Sequence, residues 1–502
     1  MSDQVTIQLD LNSVEGYRTF LRVKSLPVYR FVGRTAVFPA EYAQQVGAAN
    51  AVPGAGGYAP HPRLFDYQRD ISRLAARKRK FAVFADCGLG KTFIAAEFVR
   101  HAVDQLPAGR RCLIVSPLMV VDQTVREVER FYGEPVLTKV RARDLSAWLA
   151  GDLPGRVGIT NYDAITGDMT DPGLLGCLVL DESSMLKSHY GAWGQRLIAL
   201  GRGLDWKLCL TGTPAPNDRI EYANHVVFLD QFPTVNSFLA RFFVNRGQTN
   251  ERWELKPHAL KPFYKALSHW CIFLTRPSVY GWSDNTAPLP PINVHVTDVE
   301  LTAEQKELAH RLTGGLYGAA AFKPGGIGSR SQWARLAKGF DPDTGAPVPS
   351  NKPGAVCDLA RAARSIVWCK YNAEQDDLAA RLPGAANVTG ATNQADRAER
   401  IAAFLDGTMP QLVSKPEILG FGLNLQCARR QVFSTIQDSY EDYYQAVKRS
   451  NRTGSAHPLD VYIPVTDLER PMLETVLAKA KRVQADAEEQ EQLFKEVGHV
   501  DF

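Results

Sequence analysis

Short apolar runs that each close on a polar turn constrain this 502-residue chain more than anything else in it. They are FAVFADC from residue 81, RCLIVSP from 111, VGITNYD from 157, CLVLDES from 177 and KLCLTGT from 207. Runs of Val, Ile and Leu without polar alternation predict strands covered on both faces, as parallel sheets require. The segments between them are long enough for crossover helices. A second series begins near residue 350, with SIVWCKY from 365, ANVTG from 386, QLVSK from 411, RQVFSTI from 430 and DVYIPV from 460. The fold class read from this pattern is α/β, with two parallel-sheet units in tandem.

Residues 217–285 lose the rhythm. HVVFLDQF, SFLARFFVN and FYKALSHWCIFL are aromatic and amphipathic, and predict a helical insertion in the first unit. Pro288-Leu289-Pro290-Pro291 then reads as a stiff connector. Ahead of the first series, residues 1–41 read as strand, helix and strand, a small α+β unit. The uncharged Gly/Ala/Pro stretch from Tyr42 to Pro60 predicts a linker that few contacts cross. The expected division is 1–41, a linker 42–62, a first lobe 63–290, a second lobe 291–485 and a helical tail 486–502.

Lys plus Arg number 58 against 54 Asp plus Glu, a formal charge of +4 that permits a nucleic-acid partner without requiring one. The eight cysteines are scattered with no CxxC pair, so no zinc cluster is expected and a reducing, cytoplasmic setting is. No apolar run approaches the ~18 residues of a membrane span, and no basic-then-apolar leader opens the chain. Arg77-Lys78-Arg79-Lys80 reads as the cationic end of a helix. Trp253, Trp270 and Trp282 read as core, with base stacking as the alternative. His189 and His225 lack metal-ligand spacing.

Ala85-Asp86-Cys87-Gly88-Leu89-Gly90-Lys91-Thr92 follows a strand pattern and opens a helical one, the setting a phosphate-binding loop needs. The backbone through Gly88, Leu89 and Gly90 can curl its N–H groups around phosphate oxygens. Lys91 would reach the β- and γ-phosphates of ATP and Thr92 would ligate magnesium. Asp181 and Glu182 close the apolar run Leu178–Leu180. Asp181 would hold the magnesium and Glu182 would orient or deprotonate the attacking water. Near the end, Gln445, Arg449, Arg452 and Gly454 share one segment, with two arginines three apart on one helix face. They can serve as arginine fingers, because the planar guanidinium fork suits a phosphoryl transition state; a solvated basic helix is the bland alternative.

From about residue 63 to 485 the chain resembles the superfamily-two helicases, and within them the Swi/Snf-type DNA translocases. Phe65-Asp66-Tyr67-Gln68 is similar to the family's upstream glutamine motif, and Asp181-Glu182-Ser183-Ser184-Met185-Leu186-Lys187 to its DExHxLK box. Thr211-Gly212-Thr213-Pro214 with Asn217 resembles its coupling motif. Val299-Glu300-Leu301-Thr302 resembles the opening of its second lobe, and Gly420-Phe421-Gly422-Leu423-Asn424-Leu425 its GLNL motif. The resemblance implies two RecA-like lobes, Gln68 reading the adenine, and Gly422 at the nucleotide. Ser116 with Pro117, Thr160 with Asn161 and Tyr162, and Thr389 become candidate nucleic-acid contacts. Double-stranded DNA is the implied partner and a monomer the implied state. Ser184 replaces the usual His, and SYEDYY stands where the family has Trp-Asn-Pro. These departures and the short insertions imply a compact, prokaryotic or phage-type relative. A strand-separating helicase and an ATP-gated DNA-loading module are the rival readings.

Overall fold

In the computed structural model the described residues are 4–48, 58–166, 172–188, 191–247, 252–285, 289–312, 327–419, 423–436, 439–452 and 454–497. His189 and Gly422 lie outside them. The chain forms two compact units, Met1–Asn285 with Ala485–Phe502, and Thr286–Gln484.

The first unit is built on a seven-stranded sheet, all parallel. Its order is Cys271–Leu274, Lys80–Ala85, Trp206–Thr211, Leu175–Asp181, Arg111–Ser116, Val157–Asn161 and Thr138–Lys139. The five apolar runs are strands here because both faces are covered, as the full burial of Leu113, Val179 and Leu210 shows. Lys80–Ala85 and Arg111–Ser116 follow each other in sequence but two other strands separate them in the sheet. Crossovers diverge at such a point and leave a crevice at the carboxyl ends of the strands. The loop between Ala85 and Lys91 stands there. The second unit repeats the plan with six parallel strands, ordered Ile292–Asp298, Leu459–Val465, Arg430–Phe433, Ser365–Trp368, Gln411–Ser414 and Ala386–Asn387.

Several expectations need correction. The 217–285 stretch does carry the helices Tyr222–Phe228, Val235–Phe242 and Leu260–Leu267, but Cys271–Leu274 is a strand in register with Ala82–Ala85. All four residues are fully buried, so their apolar run fits a sheet position rather than a helix with a wet face. Trp270 is buried in the core, and Trp253 and Trp282 pack against it. At the N-terminus, Gln4–Gln8, Thr35–Pro39 and Arg30–Val32 form an antiparallel sheet beside the helix Val14–Lys24.

The segment read as a linker does not begin at residue 42. Tyr42, Ala43 and Val46 complete the small N-terminal core. The Tyr42 hydroxyl meets His269 Nδ1 at 2.8 Å, Glu41 pairs with Lys78 at 2.6 Å, and His269 lies 3.0 Å from Glu41. Lys78 therefore holds the N-terminal unit instead of merely closing a helix in solvent. Tyr58 also docks, donating to Glu97 at 2.8 Å. The tail is one continuous helix, Arg470–Val497, and its later turns bond within the first unit through Asp486 to Arg219 and Glu491 to Thr275. No helix among the described residues is long and apolar enough to cross a membrane.

Candidate nucleotide site

The loop after Ala85 is shaped by two glycines with positive φ, Gly88 at 87° and Gly90 at 72°. Successive N–H groups in such a turn make a concave anion cradle. Gly90 also caps the helix Lys91–Gln105, whose N-terminal dipole favours phosphate. A Cβ at Gly90 would lie 2.2 Å from Gln68 Nε2, so the loop and that glutamine are in close contact. Lys91 Nζ donates to the Ala85 carbonyl at 2.8 Å and reaches Asp86 O at 3.3 Å, within reach of the loop it would serve. Thr92 follows, half-buried, in the first helical turn. Gln68 is buried; its Oε1 accepts from the Phe65 N–H at 3.1 Å and its Nε2 donates to the Leu89 carbonyl at 3.3 Å.

Asp181 and Glu182 sit at the end of the strand Leu175–Asp181, and three other strand ends reach them. Ser116 donates to Asp181 Oδ2 at 2.8 Å. Thr211 donates to Glu182 Oε2 at 3.4 Å. The Tyr162 hydroxyl donates to the Asp181 carbonyl at 2.7 Å and lies 3.4 Å from that of Glu182. Burial raises the Asp181 carboxyl above its usual range, with the Ser116 hydroxyl and the Lys91 ammonium opposing it. Thr92 and Asp181 offer hydroxyl and carboxylate oxygens, the hard donors magnesium takes. No group of three or more His, Cys, Asp or Glu gathers among the described residues, so phosphate and water oxygens would have to complete such a site.

Two of the expected nucleic-acid contacts are buried in this structure. Ser116 is fully buried and its hydroxyl is spent on Asp181. Thr160 is buried as well, and its hydroxyl finds no partner. Thr389 is half-buried, its hydroxyl 3.1 Å from that of Thr392 in the loop after Ala386–Asn387.

Behind the acids, Ser183 meets His225 Nε2 at 3.1 Å, and Asn224 donates to the carbonyls of Leu186 and Ser188, both at 2.7 Å. Burial holds the His225 imidazole down at about 4, so it is neutral there. The helix Tyr222–Phe228 thus grips the Asp181–Lys187 turn from below. The sequence reading assigned neither His225 nor Tyr162 a part in this site. Only strand order and packing reveal them.

In the second unit, Gln445 and Arg449 are buried on the helix Tyr440–Ser450. Arg449 turns back along its own helix, donating from Nη2 to Gln445 Oε1 at 3.0 Å and from Nε to the Gln445 carbonyl at 3.1 Å. Arg452 lies just past the helix, half-buried, with Gln426 Nε2 donating to its carbonyl at 3.1 Å. Its guanidinium makes no hydrogen bond or ion pair among the described residues.

Against known proteins, the SNF2-related domain matches residues 72–322 and the helicase conserved C-terminal domain residues 351–454. Protein p41 of Acyrthosiphon pisum secondary endosymbiont phage 1 is 23% identical over 436 residues, covering 80% of this chain and 90% of the phage protein. The ATP-dependent helicase FUN30 of Saccharomyces cerevisiae is 24% identical over 269 residues, covering 50% of this chain and 23% of its own. The DNA repair and recombination protein RAD54-like of Gallus gallus is 24% identical over 197 residues, covering 36% and 25%. This chain thus spans about a quarter of the length of those two relatives. The solved SWI2/SNF2 ATPase core of Sulfolobus solfataricus in complex with dsDNA shares 17% identity over 88% of this chain and 98% of that one, with a TM-score of 0.39. Two tandem parallel-sheet lobes, a glycine loop facing an Asp–Glu pair, and a family match over residues 72–322 lead to one conclusion: the chain belongs to the SNF2-related family and is an ATP-hydrolysing enzyme of helicase superfamily two.

Proposed function

We propose that this ATPase couples hydrolysis to movement along double-stranded DNA without separating the strands. The observation that carries the reading is the convergence on Asp181–Glu182. The ends of three other strands bond to the two acids through Ser116, Tyr162 and Thr211, so displacement of those strand ends bears directly on the hydrolytic groups. A loader with rare turnover has no need of such linkage. Two relatives, one named for DNA repair and recombination and one as an ATP-dependent helicase, support a nucleic-acid track.

In this reading Gln68 lies on the adenine side, and Gly88, Leu89 and Gly90 present backbone N–H groups to the phosphates. Lys91 exchanges its carbonyl partners for phosphate oxygen. Thr92 and Asp181 would hold magnesium, which when bound would supply charge neutralisation for the phosphates. Glu182 aligns a water for in-line attack; the new bond forms from water oxygen to γ-phosphorus as the bond to the leaving β-phosphate oxygen breaks. Arg452, with Arg449 released from Gln445, supplies positive charge to the transition state from the second lobe. The family resemblance alone assigns Gly422 to the nucleotide and Thr389 to the track. Track contacts go to phosphates rather than base edges, which makes binding strongly salt-dependent.

The test is ATP turnover with no nucleic acid, duplex DNA, single-stranded DNA and RNA in parallel. It is paired with triplex displacement on duplex DNA and strand separation on a fork. Duplex stimulation with triplex displacement is the expected result. Efficient fork unwinding without triplex displacement would replace this reading with the helicase one.

A further inference from the structure

Glu182 occupies the left-handed region, φ 55° and ψ 52°. Only two other described non-glycine residues have positive φ, Arg79 and Asp230. Asp tolerates this conformation through its short polar side chain, and Arg79, with ψ at −33°, closes a helix with its N–H bonded back to the Ala75 carbonyl. Glu182 has neither excuse. Such a residue costs on the order of 1–3 kcal/mol and persists only where its surroundings fix it.

The fixing group is close by. Tyr162 follows the strand Val157–Asn161, two strands away from Asp181 in the sheet. Its ring is buried, edge-on to Trp193 with centroids 6.4 Å apart. Its hydroxyl donates at 2.7 Å to the carbonyl preceding Glu182 and lies 3.4 Å from the carbonyl following it. One side chain thus brackets both peptide planes that define the φ and ψ of Glu182. Thr211 touches the Glu182 carboxylate itself, so backbone and side chain are held by different strands. The flanking residues of Tyr162 face outward: Asp163 is exposed and Asn161 half-buried.

We infer that Tyr162 is the positioning residue for Glu182: its hydroxyl fixes the left-handed backbone that aims the water-activating carboxylate. This rests on the reading of Glu182 given above and extends it. The strand end that carries Asn161 and Asp163 to the surface is, through Tyr162, mechanically joined to the hydrolytic step. A shift at that surface alters turnover without touching the nucleotide-binding groups.

The test uses the full chain with Tyr162→Phe, which keeps the ring and its packing and removes one hydroxyl. At saturating duplex DNA, kcat should fall on the order of 10²-fold, the scale of a 1 Å misplacement of a reacting group, with KM for ATP little changed. Incorporation of 4-aminophenylalanine at 162 restores an N–H donor on the same ring and should recover most of kcat. Thermal unfolding supplies a readout free of activity. Tyr162→Phe should lower the midpoint less with Glu182 present, where release of the strained backbone recovers part of the loss, than in the Glu182→Gly background, where the left-handed backbone carries no strain. Equal midpoint shifts in the two backgrounds, or wild-type kcat in Tyr162→Phe, would overturn the proposal. Glu182→Gln separates the two layers. If it is inactive while Tyr162→Phe keeps full turnover, the positioning role alone fails. If Glu182→Gln itself keeps full turnover, the reading of Glu182 fails and the proposal with it.

Discussion

The two lobes hold their reactive side chains in opposite ways. In the first, the acids are braced: Asp181 by Ser116, Glu182 by Thr211, and the backbone of both by Tyr162. In the second, Arg449 is folded back on Gln445, and the Arg452 guanidinium has no hydrogen bond or ion pair among the described residues. The contrast separates two tasks. Water alignment and metal holding need groups already in place, since reorganisation at the moment of reaction adds to the barrier. A guanidinium that acts only at one stage of a cycle must be able to leave its resting place.

The largest effect should come from the unbraced side. Arg452→Ala should lower turnover about 10³-fold, the lower end of the ~10³–10⁵ range for an arginine finger, with ATP affinity changing only a few-fold. Steady-state kinetics beside equilibrium nucleotide binding separates the two. A loss of affinity equal to the loss of turnover would place Arg452 in ground-state binding and erase the contrast.

Next in size is a brace at the edge of the first lobe. Lys78→Met should destabilise the first unit by about 3 kcal/mol, the low end for breaking a buried ion pair, because Glu41 keeps some contact with water. Burial pushes the Glu41 carboxyl up, but the His269 hydrogen bond and the Lys78 ammonium outweigh it and hold it down at about 2. The group's stabilisation is therefore complete above the usual value of 4.5 and fades as pH falls towards about 2. Denaturant unfolding between these limits should show that loss in the parent chain and a smaller one in Glu41→Gln.

Ser116→Ala should come third. Removing a group that orients a metal ligand costs ~10–100-fold in metal affinity. Turnover titrated with magnesium should show a shift of that size, and duplex-DNA affinity should not move. Weakened DNA binding with an unchanged magnesium requirement would return Ser116 to the surface role its motif position implied.

The bond from Ser116 to Asp181 marks what a sequence carries and what it does not. The strands around the site were legible because a parallel strand covered on both faces is an unbroken apolar run, and FAVFA or CLVL can hardly be anything else. The loop Gly88–Thr92 and the acids 181–182 were legible because their chemistry is local. Ser116 was not. Its facing depends on Leu175–Asp181 lying alongside Arg111–Ser116, and strand order is written in no single strand. The same holds for Tyr162, which reaches past one strand to the next. Cys271–Leu274 was lost for a different reason. It follows the helix Leu260–Leu267 after three residues with no Gly, Pro or Asn to punctuate the change, so helix and strand merge into one apolar stretch. The start of the linker was not legible because composition says a segment is uncharged, not that Tyr42 has a buried partner in His269.

The smallest prediction addresses whether Arg449 leaves its place at all. Gln445 Oε1 accepts from Arg449, while Gln445 Nε2 is buried with no partner, so the glutamine is imperfectly satisfied and its hold is not the strongest the site allows. Gln445→Glu replaces a neutral acceptor with a charged one in the same geometry. Hydrogen bonds to charged partners exceed neutral ones by about 1 kcal/mol. If Arg449 must abandon residue 445 to meet the phosphates, that extra hold adds to the barrier and turnover should fall about 5-fold, with ATP affinity unchanged. If Arg449 stays on its helix throughout as a structural group, turnover should stay within twofold while the unfolding midpoint rises. The first outcome leaves two arginines that change partners, in contrast to a braced pair of acids. The second leaves Arg452 alone in that role and moves Arg449 to the braced side of the comparison.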